Sequence, residues 1–91
     1  MSTVKHRILI VGVGSIGERH TRCFLATDRV EVGICELNET FRSEVSERYA
    51  LNGSFATLDD ALAQPWDGAL VATPAHTHIP IALQLAQAGI P

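Results

Sequence analysis

Three glycines whose spacing is typical of a phosphate-binding turn lie near the start of this chain. Gly12, Gly14 and Gly17 form a G-x-G-x-x-G pattern directly after the aliphatic run at positions 8–11. In such a turn the first glycine permits a sharp bend and the second lets the backbone approach a pyrophosphate. The third lets the next helix pack closely on the strand. Because a helix N-terminus also attracts anions, positions 12–17 are predicted to bind phosphate.

A carboxylate at a second fixed spacing strengthens this prediction. Glu36 ends the apolar stretch 30–35 and comes 19 positions after Gly17. At that place a dinucleotide-binding unit carries the acid that accepts hydrogen bonds from the adenosine ribose hydroxyls. A solvated acid at a strand end is the alternative, but the spacing from the glycines favours the ribose interpretation.

The charge of Glu36 also predicts a preference between cofactors. A 2′-phosphate beside this carboxylate is repelled by up to ~4 kcal/mol per unit charge at about 4 Å and an effective dielectric constant of about 20. Arg42 in the following helix could soften this repulsion, but a helical wheel places it facing away. The residues therefore favour NAD over NADP.

The cysteines and two late histidines are expected to be structural. Cys23 and Cys35 have no metal-type spacing, and both are expected to be small, buried, reduced thiols. His76 and His78 precede the last helix as H-x-H, where capping and packing are more common than catalysis or metal binding. No catalytic residue and no metal site are therefore predicted.

The elements that must position these residues alternate regularly between strand and helix. Strands are predicted within 8–11, 30–36, 53–56 and 66–73, each followed by a helix. With right-handed crossovers this gives a Rossmann-like, doubly wound parallel α/β sheet of order 3-2-1-4 with helices on both faces. A ligand then belongs where the first and fourth strands diverge, and the glycine turn lies at that edge.

Helical periodicity predicts which residues face the core. Asn38, Thr57 and Thr77 are expected to cap the second, third and last helices. The predicted buried faces are Ile16, His20, Cys23, Phe24 and Thr27 in the first helix, Phe41, Val45 and Tyr49 in the second, and Ile79, Ala82, Leu83 and Ala86 in the last.

Composition excludes several classes of function. The chain has 91 residues, a net charge of −3 and only seven basic residues, which are scattered rather than clustered as nucleic-acid binding requires. No apolar stretch approaches the ~20 residues of a membrane span, and no signal-peptide core is visible. We expect a cytoplasmic protein with no nucleic-acid or membrane partner. Residues 1–6 are expected to be a flexible tail and 7–91 a partial dinucleotide-binding domain.

Beyond these patterns, the chain from Arg7 onward resembles the N-terminal part of the Gfo/Idh/MocA oxidoreductases, the family of glucose–fructose oxidoreductase and inositol dehydrogenase. The Thr-Pro corner with a histidine four residues after the proline is the most specific likeness. The matching stretches are Gly12–Gly17 with His20, Val32–Glu36, Asp67–Pro74, and His78 leading to Ala88-Gly89.

Members of this family are NAD(P)-dependent enzymes that move a hydride to or from a sugar, polyol or related carbonyl. The resemblance therefore implies an NAD(P) cofactor site, and the charge of Glu36 favours NAD over NADP in it. In the implied site, Gly12, Val13, Gly14, Ser15, Ile16 and Gly17 hold the pyrophosphate, Glu36 and Leu37 hold the adenosine, and Ala72, Thr73, Pro74 and His78 lie by the nicotinamide-side ribose.

Two departures from the family pattern shape what is expected of the segment. Ala75 stands where many relatives have asparagine, so one side-chain contact is lost. The chain stops at Pro91, before the family's Glu-Lys-Pro motif and C-terminal substrate domain, and its only lysine is Lys5. We therefore expect a fragment of a homo-oligomeric enzyme whose substrate binds only to the full-length protein. The segment alone is not expected to catalyse, and its unpaired fourth strand is expected to promote association.

Two other functions fit part of the pattern. A non-catalytic NAD-binding regulatory module, like those attached to potassium transport systems, shares the glycine turn and the acid after the second strand. Such modules do not usually show the Thr-Pro corner followed by histidine. A decayed fragment that binds nothing is the third alternative.

Overall fold

The computed structural model describes residues 6–90, and its centre is a four-stranded parallel sheet. The order β3-β2-β1-β4 confirms the predicted topology. The strand β1 begins at His6, one residue inside the stretch expected as a tail; residues 1–5 and Pro91 lie outside the described part of the chain. The strands are β1 (His6–Val11), β2 (Val30–Cys35), β3 (Gly53–Phe55) and β4 (Gly68–Val71).

Helices cover both faces of the sheet, as predicted. The first two pack on one face around Ile10, Val32 and Val45, and the last two pack on the other around Leu9 and Trp66. Successive residues of β1 point to opposite faces, so Leu9 and Ile10 enter different cores. The helices are α1 (Ser15–Ala26), α2 (Glu39–Arg48), α3 (Leu58–Leu62) and α4 (His78–Gln87), with a 3₁₀ turn at Ala75–Thr77.

The buried face of α1 agrees with the predicted one only in part, since Phe24 packs against the core and His20 is half-buried. Gly17 and Thr21 are its buried residues, whereas Ile16 is 63% exposed and Cys23 is exposed. The cause is the glycine turn: a Cβ built on Gly17 would lie 1.8 Å from the carbonyl oxygen of Gly12. This close approach fixes the rotation of the helix, so the position of the glycine overrides the distribution of apolar side chains.

The buried face of α4 is also different from the prediction. Leu85 is buried and Ile81 is half-buried against the core, while Ile79 and Leu83 are 72% and 58% exposed. Beyond the helix, Gly89 has φ +80° and the Ile90 N–H donates to the Leu85 carbonyl at 3.0 Å. This is a Schellman motif, and it folds Ile90 back beside Leu85 in the core.

The caps of α2 and α3 confirm the predictions for Asn38 and Thr57. Asn38 Oδ1 accepts from the Phe41 N–H at 3.0 Å, and Thr57 Oγ1 accepts from the Asp60 N–H at 3.2 Å. On α2, Val45 is buried and Tyr49 is half-buried, but Phe41 remains 44% exposed. Both caps place the helix starts at the edge of the sheet where the strands end.

Candidate functional site

The glycine turn has the geometry that a phosphate-binding loop needs. Gly12 has φ +93°, and its N–H donates to the Cys35 carbonyl at 2.8 Å, so the turn is fastened to β2. Gly14 occupies the N-cap position of α1, and no side chain caps that helix. A Cβ on Gly14 would meet no atom within 4 Å. The uncapped helix start is therefore open to an anion at this position.

Glu36 lies directly against this turn. Its Oε1 accepts from the Val13 N–H at 2.8 Å, and its Oε2 accepts from the Asn38 N–H at 2.9 Å. The structure thus brings the predicted pyrophosphate loop and the predicted ribose acid together on one edge of the sheet. A carboxylate has about four lone-pair positions, so two remain for hydroxyl donors of a ligand.

Arg42 contacts the same segment, and the helical-wheel expectation that it faces away is wrong. Its Nη1 donates to the Glu36 carbonyl oxygen at 2.8 Å, and the residue is half-buried. The reason is the direction of helical side chains, which lean toward the helix N-terminus. A long arginine one turn into α2 therefore reaches back to the residue before the helix.

A cavity of about 360 Å³ opens at the carboxyl edge beside these groups. It lies between the ends of β1, β2 and β4 and the starts of α3 and α4. The predicted site residues Gly12, Glu36, Leu37, Thr73 and Pro74 line it. The remaining lining residues are Val11, Cys35, Thr57, Leu58, Thr77, Ile81 and Gln84.

None of these seven remaining residues was assigned to a site from the sequence, and four of them come from the two later helices and their starts: Thr57, Leu58, Ile81 and Gln84. Thr57 and Leu58 begin α3, and Ile81 and Gln84 lie in the first two turns of α4. The topology alone could have indicated these residues. In a parallel sheet, the helices that follow the third and fourth strands must start at the same edge as the glycine turn.

The other predicted residues surround the cavity rather than line it. Val13, Gly14 and Ser15 border a neighbouring groove between α1 and α2, and Ile16 points to solvent. Ala72 packs under the turn, where its carbonyl carbon would lie 3.1 Å from a Cβ on Gly12. These positions are all within the glycine loop or directly beneath it.

The corner after β4 is held by side-chain hydrogen bonds. Thr77 Oγ1 lies 2.5 Å from Thr73 Oγ1 and donates to the Pro74 carbonyl at 2.6 Å. Thr77 therefore stands at the N-cap of α4 without capping it by its side chain, which corrects the expected role. His78 Nε2 lies 2.7 Å from the Thr73 carbonyl oxygen. A carbonyl only accepts, so Nε2 carries the proton in this contact.

The neighbouring groove between α1 and α2 has a different character. It measures about 520 Å³ and includes Glu18, Glu44 and Arg48 in its lining. The Tyr49 hydroxyl donates to the Glu18 carboxylate, and this hydrogen bond raises the pKa of Tyr49. Two carboxylates and one guanidinium make the part of this groove that lies outside the glycine loop less suited to a pyrophosphate than the backbone N–H groups of the loop itself.

The two cysteines behave differently from each other. Cys35 is buried at the wall of the cavity, as predicted, and burial together with the nearby Glu36 charge raises its pKa from 9.0 to about 11. Its thiol is therefore unreactive at neutral pH. Cys23 is exposed, so the expectation of a buried thiol is wrong there.

The described residues 6–90 contain neither a candidate metal centre nor a candidate membrane span. Within that range no group of three or more His, Cys, Asp or Glu residues is placed to hold a metal ion. The helices described there are all too short or too polar to cross a membrane.

A parallel sheet of order 3-2-1-4, a glycine turn over its switch point and an acid after the second strand together define a Rossmann-type dinucleotide-binding domain. Comparison with protein families agrees: residues 6–91 match the model of the Gfo/Idh/MocA oxidoreductase family, NAD-binding Rossmann fold. The chain belongs to this family, and it is an NAD-binding domain.

Solved structures of dehydrogenases share this fold. The WlbA dehydrogenase from Bordetella pertussis, in complex with NADH and UDP-GlcNAcA, is 32% identical with a TM-score of 0.85, over 96% of this chain and 28% of that one. GenD2 from gentamicin A biosynthesis, in complex with NAD, is 32% identical with a TM-score of 0.86, over 99% of this chain and 26% of that one. The chain thus spans about a quarter of the length of these structures. No curated protein sequence matches it significantly.

Proposed function

We propose that this chain is the cofactor-binding part of an NAD-dependent dehydrogenase that transfers a hydride between the nicotinamide and a sugar, polyol or related substrate. The observation that carries the proposal is the 2.8 Å hydrogen bond between the Val13 N–H and Glu36 Oε1. It supports the proposal because the glycine turn and the Glu36 carboxylate then lie close enough together for one half of a dinucleotide to contact both. The WlbA structures, with NADH and UDP-GlcNAcA bound, support the sugar-type substrate class.

The proposed cofactor contacts follow the edge of the sheet from β2 to β4. Leu37, 82% exposed beside Glu36, offers an apolar surface to the adenosine. The proposed set is Gly12, Val13, Gly14, Ser15, Ile16 and Gly17 for the pyrophosphate, Glu36 and Leu37 for the adenosine, and Ala72, Thr73, Pro74 and His78 for the nicotinamide-side ribose.

These residues offer the cofactor space and hydrogen-bonding groups that suit it. An open backbone at Gly14 leaves room for a pyrophosphate, and the Glu36 carboxylate retains lone pairs for a ribose diol. When bound, the nicotinamide supplies the hydride chemistry. The residues of this chain bind and orient the nicotinamide. The hydrogen bonds of Thr73 with Thr77 and with His78 fix the backbone turn after β4, which is the segment proposed to contact it.

We assign no catalytic acid or base to the chain. Among residues 6–90, Glu36 is the one carboxylate in the cavity lining, and two backbone N–H groups already bind it. A proton donor and a wall for the substrate are proposed to come from the remainder of a longer protein.

Isothermal titration with NAD tests the binding site. We expect wild-type chain to bind NAD, and Glu36→Gln to weaken it by about tenfold or more, because a hydrogen bond to a charged group contributes about 1.5–3 kcal/mol. Glu31→Gln is the matched control, since Glu31 lies near the other end of β2 and binds Asn52. Equal NAD affinity of the two variants would contradict the assignment, and no heat with the wild type would overturn the proposed function.

A further inference from the structure

Arg42 is the cation nearest in sequence and contact to the proposed ribose acid. Its Nη1 holds the Glu36 carbonyl oxygen at 2.8 Å, and the side chain is half-buried against that segment. The guanidinium has five N–H donors in a planar fork. Only this one hydrogen bond is found for it among residues 6–90, so its other donors have no partner in the described part of the chain.

The charge of Arg42 is also not neutralised locally. Within the described part of the chain, no carboxylate oxygen lies within 4.0 Å of the guanidinium, and the Glu36 carboxylate is directed to the N–H groups of Val13 and Asn38. The same short segment therefore presents a carboxylate and a separate, uncommitted guanidinium. A free ribose 2′-hydroxyl suits the first group, and a 2′-phosphate suits the second.

We propose that Arg42 is the residue that sets how strongly this site discriminates against a 2′-phosphate. Glu36 disfavours the phosphate by like-charge repulsion, and Arg42 offsets part of that repulsion while leaving the binding of a free ribose diol nearly unchanged. NAD remains the preferred dinucleotide, but NADP is accepted with only moderately lower affinity. This inference rests on the proposed function and adds to it the specificity of the same site.

The test compares NAD and NADP by isothermal titration in the wild type and three variants. In Arg42→Gln we expect the ratio of the NADP to the NAD dissociation constant to rise about tenfold, as expected for losing one opposite charge a few ångströms from the phosphate. In Arg42→Lys the charge is kept, and the ratio is expected to stay within about threefold of the wild type. Arg48→Gln, at the far end of α2, is the matched control and leaves the ratio unchanged.

A second measurement uses the wild-type chain and therefore does not depend on any variant folding correctly. In wild-type chain labelled with ¹⁵N, the Arg42 Nε–Hε signal is expected to move on addition of NADP and to stay in place with NAD. An unchanged ratio in Arg42→Gln, or an Nε–Hε signal indifferent to NADP, overturns the role of Arg42 while leaving NAD binding intact. Failure of the wild type to bind NAD would instead overturn the proposed function beneath it.

Discussion

Gly14 is the glycine of the turn whose substitution should affect cofactor binding without affecting the stability of the fold. A Cβ there meets nothing within 4 Å, whereas Gly12 has a positive φ and a Cβ on Gly17 would strike the Gly12 carbonyl oxygen. Gly12 and Gly17 are thus needed to form the turn itself. At Gly14 the missing side chain leaves open the space that the pyrophosphate is proposed to fill.

We therefore predict that Gly14→Ala keeps the stability of the wild type but binds NAD at least about tenfold more weakly, because the added methyl group keeps the pyrophosphate away from the backbone. Thermal unfolding and isothermal titration measure the two effects. Gly68→Ala is the control, because its Cβ would make only an ordinary contact of 3.5 Å with Ile8 at the opposite end of β4. Undiminished NAD affinity in Gly14→Ala would count against a pyrophosphate at this position.

The two thiols give a second prediction at this scale. Cys23 is exposed, and Cys35 is buried with its pKa raised to about 11. At pH 8 we expect a thiol reagent to label Cys23 rapidly and Cys35 only after denaturation, as peptide mass spectrometry can show. Rapid labelling of native Cys35 would show that this residue is accessible from the cavity.

The raised pKa of Cys35 also predicts how stability depends on pH. The unfolded chain loses the Cys35 proton at a lower pH than the folded chain, so between about pH 9 and about pH 11 rising pH should progressively destabilise the fold.

The sequence predicts correctly those residues whose position depends on backbone geometry. It fails for a residue whose contact depends on how far a long side chain extends. The glycine turn and the place of Glu36 follow from spacing, and the two lie together as expected. Arg42 was expected to face away because a helical wheel records only the direction of Cβ. Its contact with Glu36 depends on a long side chain leaning back over the helix start.

At the scale of elements, α4 carries apolar residues on two faces, and periodicity could not choose between them. The face with Ile79 and Leu83 was predicted to be buried, but Ile81 and Leu85 pack on the core. The deciding feature lies outside the helix, where the Schellman motif at Gly89 brings Ile90 against Leu85. In α1 the choice of face likewise followed a glycine contact rather than the apolar pattern.

A matched pair of leucines tests this assignment of faces. Leu85→Ala is expected to lower the free energy of unfolding by about 2–4 kcal/mol, because it opens a cavity in the core. Leu83→Ala, on the 58% exposed face, is expected to change it by less than about 0.5 kcal/mol. Chemical denaturation measures both, and a larger loss in the Leu83 variant would show that the packing face is the other one.

At the scale of the whole molecule, the sheet places every proposed contact on one edge. The ends of β1, β2 and β4 converge there, and α1, α3 and α4 begin there, so one dinucleotide could touch all of them. In the described residues β4 is an edge strand, with Leu70 and Val71 half-buried. The expected association of the isolated chain stays a prediction, which sedimentation at increasing concentration would check.

The most direct test of the account is a titration of ¹⁵N-labelled chain with NAD, followed residue by residue in amide spectra. We predict that the largest shifts fall on the amides of residues 12–17 and of residues 36–38, and that both groups follow a single binding curve. Shifts confined to Glu18, Phe41, Glu44 and Arg48, in the part of the groove between α1 and α2 that lies outside the glycine loop, would contradict a single dinucleotide held by the glycine turn and Glu36. Two groups of shifts that saturate at different NAD concentrations would contradict it as well.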